Sequence, residues 1–237
     1  MMHHLPYFFS ERITPHSVFA LNDETAKHII QVLRMKKDEH ILLTDGKGNK
    51  AEAIIVQADK RNCSVHVKEI LHEGTSSKKI SIAISILKNA TRFEWFLEKA
   101  TEIGISEIIP LICSRTERQY FRYERMLQII ISALLQSRQS YLPVLHQPTD
   151  FKTAITELNY DGKFIAHCID EEKKTIQEIS NSASPVPANA IILIGPEGDF
   201  TKEEITYALQ NNYISVSLGN TRLRTETAGI VAATLLV

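Results

Sequence analysis

Two glycine-bearing turns near the C-terminus hold the residue types best suited to chemistry. The first, Gly195-Pro196-Glu197-Gly198-Asp199-Phe200, follows the apolar run Ile191-Ile192-Leu193-Ile194. The second, Gly219-Asn220-Thr221-Arg222-Leu223-Arg224-Thr225-Glu226-Thr227-Ala228-Gly229, follows Ile214-Ser215-Val216-Ser217-Leu218. Glycine admits positive φ and lets a flat ligand approach the main chain with no Cβ in the way. Neither turn is a phosphate cradle. GxxxxGK[ST] is absent, Gly195-Pro196-Glu197-Gly198 is not GxGxxG, and a glutamate between the glycines repels phosphate, which disfavours a dehydrogenase or other nucleotide enzyme. Either turn alone is equally well an ordinary strand-to-helix loop.

The surrounding elements must place both turns together. Thr201-Lys202-Glu203-Glu204 has the form of a capping box, in which Thr and the Glu three residues on satisfy the first free N–H groups of a helix. Residues 225–236 can form a last helix. Upstream, residues 80–87 read as a strand, 92–103 as a helix closed by Gly104, and 108–113 as a further strand, an order that requires a right-handed crossover. Residues 162–169 add another buried strand, and 180–190 a surface loop. Apolar strands alternating with helices imply a parallel sheet in a doubly wound α/β domain, with ligands beyond the carboxyl ends of the strands. Both glycine turns fall there, as does Lys88-Asn89-Ala90-Thr91-Arg92.

The first seventy or so residues are β-rich, with alternating runs and an Asp45-Gly46 turn after one helix opening at Asn22. That helix offers Ile29, Ile30, Val32 and Leu33 to a core. A small barrel is the natural closure of such short strands. Residues 71–79 have linker composition, so the domains are expected at 1–72 and 73–237. Arg34, Lys36, Lys37, Lys47 and Lys50 sit where side chains project freely and either grip phosphates or form a solvated surface. Arg115, Arg118, Arg122 and Arg125 alternate with Tyr120, Phe121 and Tyr123, a mixture suited to phosphate contact and base stacking; ion pairing through Glu117 and Glu124 is the plainer reading. Residues 126–135 are apolar nearly all round, so their helix must be covered on more than one side, by a second copy of the chain or within the monomer.

With 237 residues and 43% hydrophobic content the chain can bury a real core. No run is long enough for a membrane span, and the start lacks the regions of a signal peptide, so a cytoplasmic location is expected. Cys63, Cys113 and Cys168 form no CxxC or Cys/His set, so no metal site is expected and each reads as a small buried hydrophobe. The net charge of −1 is unevenly spread: Lys+Arg against Asp+Glu is 10 to 9 over residues 1–70, 10 to 7 over 71–140, and 7 to 12 over 141–237. The basic surface lies away from the glycine turns.

Ile194-Gly195-Pro196-Glu197-Gly198, Leu218-Gly219-x-x-x-Leu223-Arg224-Thr225-Glu226-Thr227-Ala228 and the block from Lys88 to Pro110, with Lys99-Ala100-Thr101-Glu102-Ile103-Gly104, together resemble the ribosomal small-subunit methyltransferase E family of the SPOUT class. The likeness runs over essentially the whole chain. It departs where the family often has a second Gly, here Asp199, and Pro-Arg-Ile, here Asn220-Thr221-Arg222. The resemblance implies an N-terminal PUA-like β-barrel engaging RNA and a C-terminal α/β domain with a trefoil knot. It further implies a homodimer that uses S-adenosylmethionine to methylate N3 of a uridine in 16S ribosomal RNA. Alternatives are a noncatalytic RNA-binding protein or a SPOUT enzyme acting on another RNA. The cofactor set implied is Ile194, Gly195, Pro196, Glu197, Gly198, Leu218, Gly219, Leu223, Arg224 and Thr227. Glu197 can meet a ribose hydroxyl, the sulfonium charge, or a helix end. The RNA set is Arg34, Lys36, Lys47, Lys88, Arg92, Arg115, Arg118 and Arg122. Arg224 would stabilise developing negative charge, and Glu226 would hold Arg224, accept the proton, or simply favour the last helix's N-terminus.

Overall fold

A computed structural model describes residues 4–59, 62–117, 119–169, 172–182 and 185–237. The chain divides into two units, one holding residues up to Thr75 with Leu134–Leu142, the other Ser76–Ala133 and Pro143–Val237.

In the first unit, β1 (Tyr7–Phe9), β2 (Val18–Ala20), β3 (His40–Thr44), β4 (Asn49–Ala58) and β5 (Cys63–His72) form one sheet in the order β1-β3-β4-β5-β2. Only the β1–β3 pairing is parallel among these. Alternate residues of β4 and β5, namely Ala51, Ala53, Ile55, Cys63, Val65 and Val67, turn into the core while their neighbours face outward, as the period of two requires. Asp45 Oδ1 accepts from Lys47 N at 2.8 Å and so shapes the turn before β4. Helix α1 (Asp23–Lys27) opens on Asn22, whose side chain accepts from Thr25 N. The expected core face of this helix needs correction. Past Lys27 the chain widens into a π turn, His28–Val32, which keeps Ile29 buried but leaves Val32 65% and Leu33 42% exposed. Bonds from i to i+5 break the three-to-four spacing, so these two residues rotate off the apolar stripe.

The second unit contains β6 (Lys79–Ser85), α2 (Ala90–Ile103), β7 (Glu107–Ile112), α3 (Tyr123–Gln136, up to Ala133), β8 (Val144–Leu145), β9 (Thr149–Asp150), α4 (Phe151–Glu157), β10 (Gly162–Ala166), β11 (Lys174–Thr175), α5 (Ile176–Ser180), β12 (Asn189–Ile194), α6 (Lys202–Gln210), β13 (Ile214–Ser217) and α7 (Thr225–Leu236). Its sheet runs β11-β13-β10-β12-β6-β7-β8, with β9 also beside β7, and every pairing is parallel. The near-continuous burial of β6 and β12 follows from helices covering both faces. All carboxyl ends share one edge, and β10 lies between β12 and β13, so the two strands feeding the glycine turns flank it.

Two local features fix the helices at that edge. Helix α2 starts on Asn89, which accepts from Thr91 N, and stops at Gly104 with φ of 94°. Helix α7 packs against α2 and β6 through Gly229, where an added Cβ would lie 2.6 Å from the Phe96 ring and 3.0 Å from Ile84 Cδ1. Only glycine permits so close an approach, and it sets the first turns of the two helices side by side.

Candidate functional site

A cavity of about 280 Å³ opens at the carboxyl edge of the second unit's sheet, lined by Arg92, Ala166, Cys168, Ile194–Glu197, Asp199, Arg222–Thr225 and Ala228. Of the residues implied for the cofactor, it brings together Ile194, Gly195, Pro196, Glu197, Leu223 and Arg224; Gly198, Leu218, Gly219 and Thr227 are not among its lining. A larger cavity of about 820 Å³ lies beside α4 and α6. Of the acids that line it, Asp150, Glu203 and Glu204, the last is committed to the fold, accepting from Ser114 N at 2.7 Å and from Thr201 N at 2.8 Å in the expected capping box. The smaller cavity is the chemical candidate, because it holds Gly195, three arginines and an apolar wall.

The first turn is rigidly held. Gly195 packs tightly, since a Cβ there would sit 3.1 Å from the Phe200 ring. Glu197 Oε1 accepts from Lys88 N at 3.2 Å, and the Arg115 guanidinium donates to Gly198 O at 2.6 Å. Asp199 stands where a second glycine was the family habit, and its φ of 62° explains the habit: the position is left-handed, a region Asp tolerates better than most residues. Its Oδ2 accepts from Cys168 N at 2.8 Å and Oδ1 from Phe200 N at 2.9 Å, so the aspartate ties the end of β10 to the turn after β12.

The second turn is open. Gly219 has φ of 140° with nothing within 4 Å of where a Cβ would lie, and Asn220, Thr221 and Arg222 are exposed. Ser217 Oγ donates to Gly219 O and spans it locally. Arg224 is the exposed N-cap of α7 and makes no side-chain cap bond. Glu226, in the first turn of α7, is buried with only 7% exposure. Its Oε1 lies 3.7 Å from Arg92 Nε, and among the described residues its Oε2 has no hydrogen-bond partner.

Cys63 and Cys113 are buried as expected, but Cys168 is exposed and lines the cavity, a correction to its reading as a buried hydrophobe. It lies past the end of β10, where the chain has left the sheet's covered interior. Ala166 and Cys168 entered no sequence-based site because their place depends on strand order. The only available signal was that their strand, too, ends on the ligand side.

The RNA candidates divide in the same way. Lys88 pairs with Glu117 at 2.7 Å, Arg115 holds the first turn, and Arg92 enters the cavity wall. Arg122 is exposed, while Arg118 lies outside the described residues. Arg125 forms a two-pronged pair with Glu94 at 2.5 and 2.9 Å. In the first unit Arg34, Lys36 and Lys47 are exposed, and Lys50 is bound to Glu73 at 2.8 Å. Among the described residues no helix is long and apolar enough to cross a membrane.

Comparison with known proteins agrees with this geometry. A family model described as an RNA methyltransferase domain matches residues 75–237, and one described as an RNA methyltransferase PUA domain matches residues 21–68. The ribosomal RNA small subunit methyltransferase E of Rickettsia conorii is 30% identical over 95% of this chain and 91% of its own. A crystal structure of a probable rRNA-methyltransferase from Porphyromonas gingivalis superposes with a TM-score of 0.89 at 35% identity, covering 98% of both chains. That of a ribosomal RNA small subunit methyltransferase E from Neisseria gonorrhoeae bound to S-adenosyl methionine has a TM-score of 0.85 at 26% identity, covering 97% of this chain and 95% of the other. With its two glycine turns meeting at one cavity and these matches spanning both units, the chain belongs to the ribosomal RNA small subunit methyltransferase E family.

Proposed function

We propose that the chain is an S-adenosylmethionine-dependent methyltransferase acting on N3 of a uridine in 16S ribosomal RNA. The observation that carries this reading is the meeting of both glycine turns with Arg92, Arg222 and Arg224 around one cavity. A protein that only bound RNA would have no need of such a cavity at the covered edge of a parallel sheet.

The residues present suit the cofactor. Ile194 and Leu223 offer apolar surface for a flat adenine, and the main chain of Gly195 to Gly198 offers edges for hydrogen bonds. Gly219 leaves open space at the second turn; Leu218, Thr227, Pro196, Glu197 and Arg224 complete the proposed cofactor set. When bound, S-adenosylmethionine supplies a methyl group already activated on a sulfonium. The chain's own task is to orient the acceptor and favour loss of its N3 proton. Arg224 is the proposed catalytic residue, and Glu226 acts beside it, either accepting the proton or holding an arginine in place. Arg34, Lys36, Lys47, Lys88, Arg92, Arg115, Arg118 and Arg122 are the proposed RNA contacts, the first three from the N-terminal unit.

The same reading takes residues 1–72 as the RNA-binding PUA-like barrel and 73–237 as the SPOUT domain with its trefoil knot. The ranges of the two family matches and the seating of β10 between β12 and β13 support it. A homodimer in the cytoplasm completes the proposal. Its support is α3, which buries Met126, Ile130 and Ala133 yet leaves Leu127, Ile129 and Ile131 half-buried. The test is incubation of the chain and S-adenosylmethionine with small ribosomal subunits lacking the modification, followed by nucleoside mass spectrometry. 3-Methyluridine is the expected product; a different methylated nucleoside would overturn the assignment to N3.

A further inference from the structure

Resting on that reading, we propose that Glu226 is a positioning residue and not the proton acceptor. It holds the Arg92 guanidinium at the cavity wall, where Arg92 stabilises the negative charge of the uridine whose N3 proton has left.

Four observations carry this. A general base must come within hydrogen-bond reach of the proton it takes, yet Glu226 is buried and absent from the cavity lining, whereas Arg92 lines it with its side chain 41% exposed. The Glu226 Oε1 to Arg92 Nε separation of 3.7 Å is an ion pair longer than a hydrogen bond, and Oε2 has no partner among the described residues. A guanidinium presents a planar fork, so a small advance of Arg92 would engage both oxygens and satisfy the orphan. The two helix starts are held in place by the close Gly229–Phe96 packing, so the pair is built into the fold. Finally, the carboxylates that do line the cavity bond to the main chain, Asp199 through both oxygens to Cys168 N and Phe200 N and Glu197 through one to Lys88 N, and three arginines, Arg92, Arg222 and Arg224, line it with them. What the cavity presents to a substrate is cationic, which suits an anion better than it suits proton abstraction.

In the step this implies, the N3 proton passes to solvent water, and the electron pair left behind spreads onto the two ring carbonyl oxygens. Arg92 cannot take that proton, because it is already protonated; it lowers the cost of the charge. The N3 pair then bonds to the methyl carbon as the carbon–sulfur bond breaks, its electrons remaining on sulfur as a neutral thioether.

The test has two arms, applied to wild type, Arg92→Ala, Glu226→Gln and the double variant. In the first, single-turnover methyl transfer to unmodified small subunits is followed from about pH 7 to about pH 9. Arg92→Ala is expected to lose about 10²-fold at neutral pH and to keep rising with hydroxide at pH values where wild type, whose bound uridine Arg92 helps to ionise, has levelled off. Glu226→Gln moves the same way by less, and the double variant is no worse than Arg92→Ala alone. In the second arm, without cofactor, binding of a short uridine oligonucleotide is compared with its 5-fluorouridine counterpart, whose N3 is more acidic. Wild type is expected to prefer the fluorinated strand increasingly as pH rises, and Arg92→Ala to lose that preference. An unchanged pH profile and an unchanged preference in Arg92→Ala would overturn the proposal, as would full multiplication of the two single losses. If wild type makes no 3-methyluridine but shows the Arg92-dependent preference, the proposed function falls and the role of Arg92 stands; if it shows neither, both fall.

Discussion

Two buried glutamates sit at opposite edges of the same parallel sheet, and they are treated very differently. Glu107, at the amino edge on β7, is 8% exposed and surrounded by partners: Lys79 Nζ at 2.7 Å, Tyr160 Oη at 2.6 Å, Ser81 Oγ at 3.2 Å and His146 Nε2 at 3.6 Å. Glu226, at the carboxyl edge on α7, is 7% exposed and, among the described residues, has one distant cation and one orphaned oxygen. Burying a carboxylate is costly unless its lone pairs are filled. At the amino edge the fold meets that requirement itself. At the carboxyl edge it leaves the requirement open, which is how a site, rather than a staple, is built.

The largest expected effect lies at the satisfied end. Glu107→Ala would strand the Tyr160 and Ser81 hydroxyls and the Lys79 charge, and should destabilise the chain by about 3 kcal/mol in urea unfolding. A loss below about 1 kcal/mol would erase the contrast between the two glutamates. The next effect follows pH. His146, too far for a hydrogen bond but close enough to favour charge, together with Lys79 and Tyr160, holds the Glu107 carboxyl well below the usual carboxylate range. A depressed folded-state pKa gives stability that is fully present above the unfolded value, about 4.3, and is lost as pH falls through the folded one. Unfolding free energies measured between about pH 6 and about pH 3 should therefore fall more steeply in wild type than in Glu107→Gln, by about 2 kcal/mol. Parallel curves would mean that Glu107 contributes nothing to acid lability.

A smaller effect sharpens the comparison within the site, where not everything is loose. Asp199→Ala places alanine at a φ of 62° and removes two hydrogen bonds, so it should cost about 2 kcal/mol. Asp199→Gly restores the backbone freedom and should cost about half as much. Equal losses in the two variants would show that strain at this position is negligible.

Much of this was legible in the sequence, and most of what was not shares one cause. The capping box of Thr201 and Glu204, the stop at Gly104 and the span of α7 are set by neighbours within a few residues, so local chemistry revealed them. The pairing of Glu226 with Arg92, the seating of β10 between β12 and β13, and the exposure of Cys168 depend on residues far apart in the chain. From the sequence Glu226 could hold Arg224, accept the proton or favour the helix start; its approach to Arg92, 134 positions earlier in the chain, is visible only in the fold. Val32 and Leu33 were misplaced for a different reason, a π turn that no spacing rule for an α-helix anticipates.

The smallest expected effect is the most telling. Glu226→Gln keeps the shape of the side chain and removes a charge that the free protein scarcely compensates, so stability should be unchanged or rise by up to about 1 kcal/mol. The same substitution at Glu107 removes a charge the fold uses, and must lower stability. Paired urea unfolding of the two glutamine variants at neutral pH reads this directly. A loss at position 226 as large as at 107 would mean that Arg92 compensates Glu226 fully in the free protein, and the carboxyl edge would then be as self-sufficient as the amino edge. A neutral or favourable change, alongside slower transfer, is what a carboxylate kept for its work on Arg92 at the expense of stability would give.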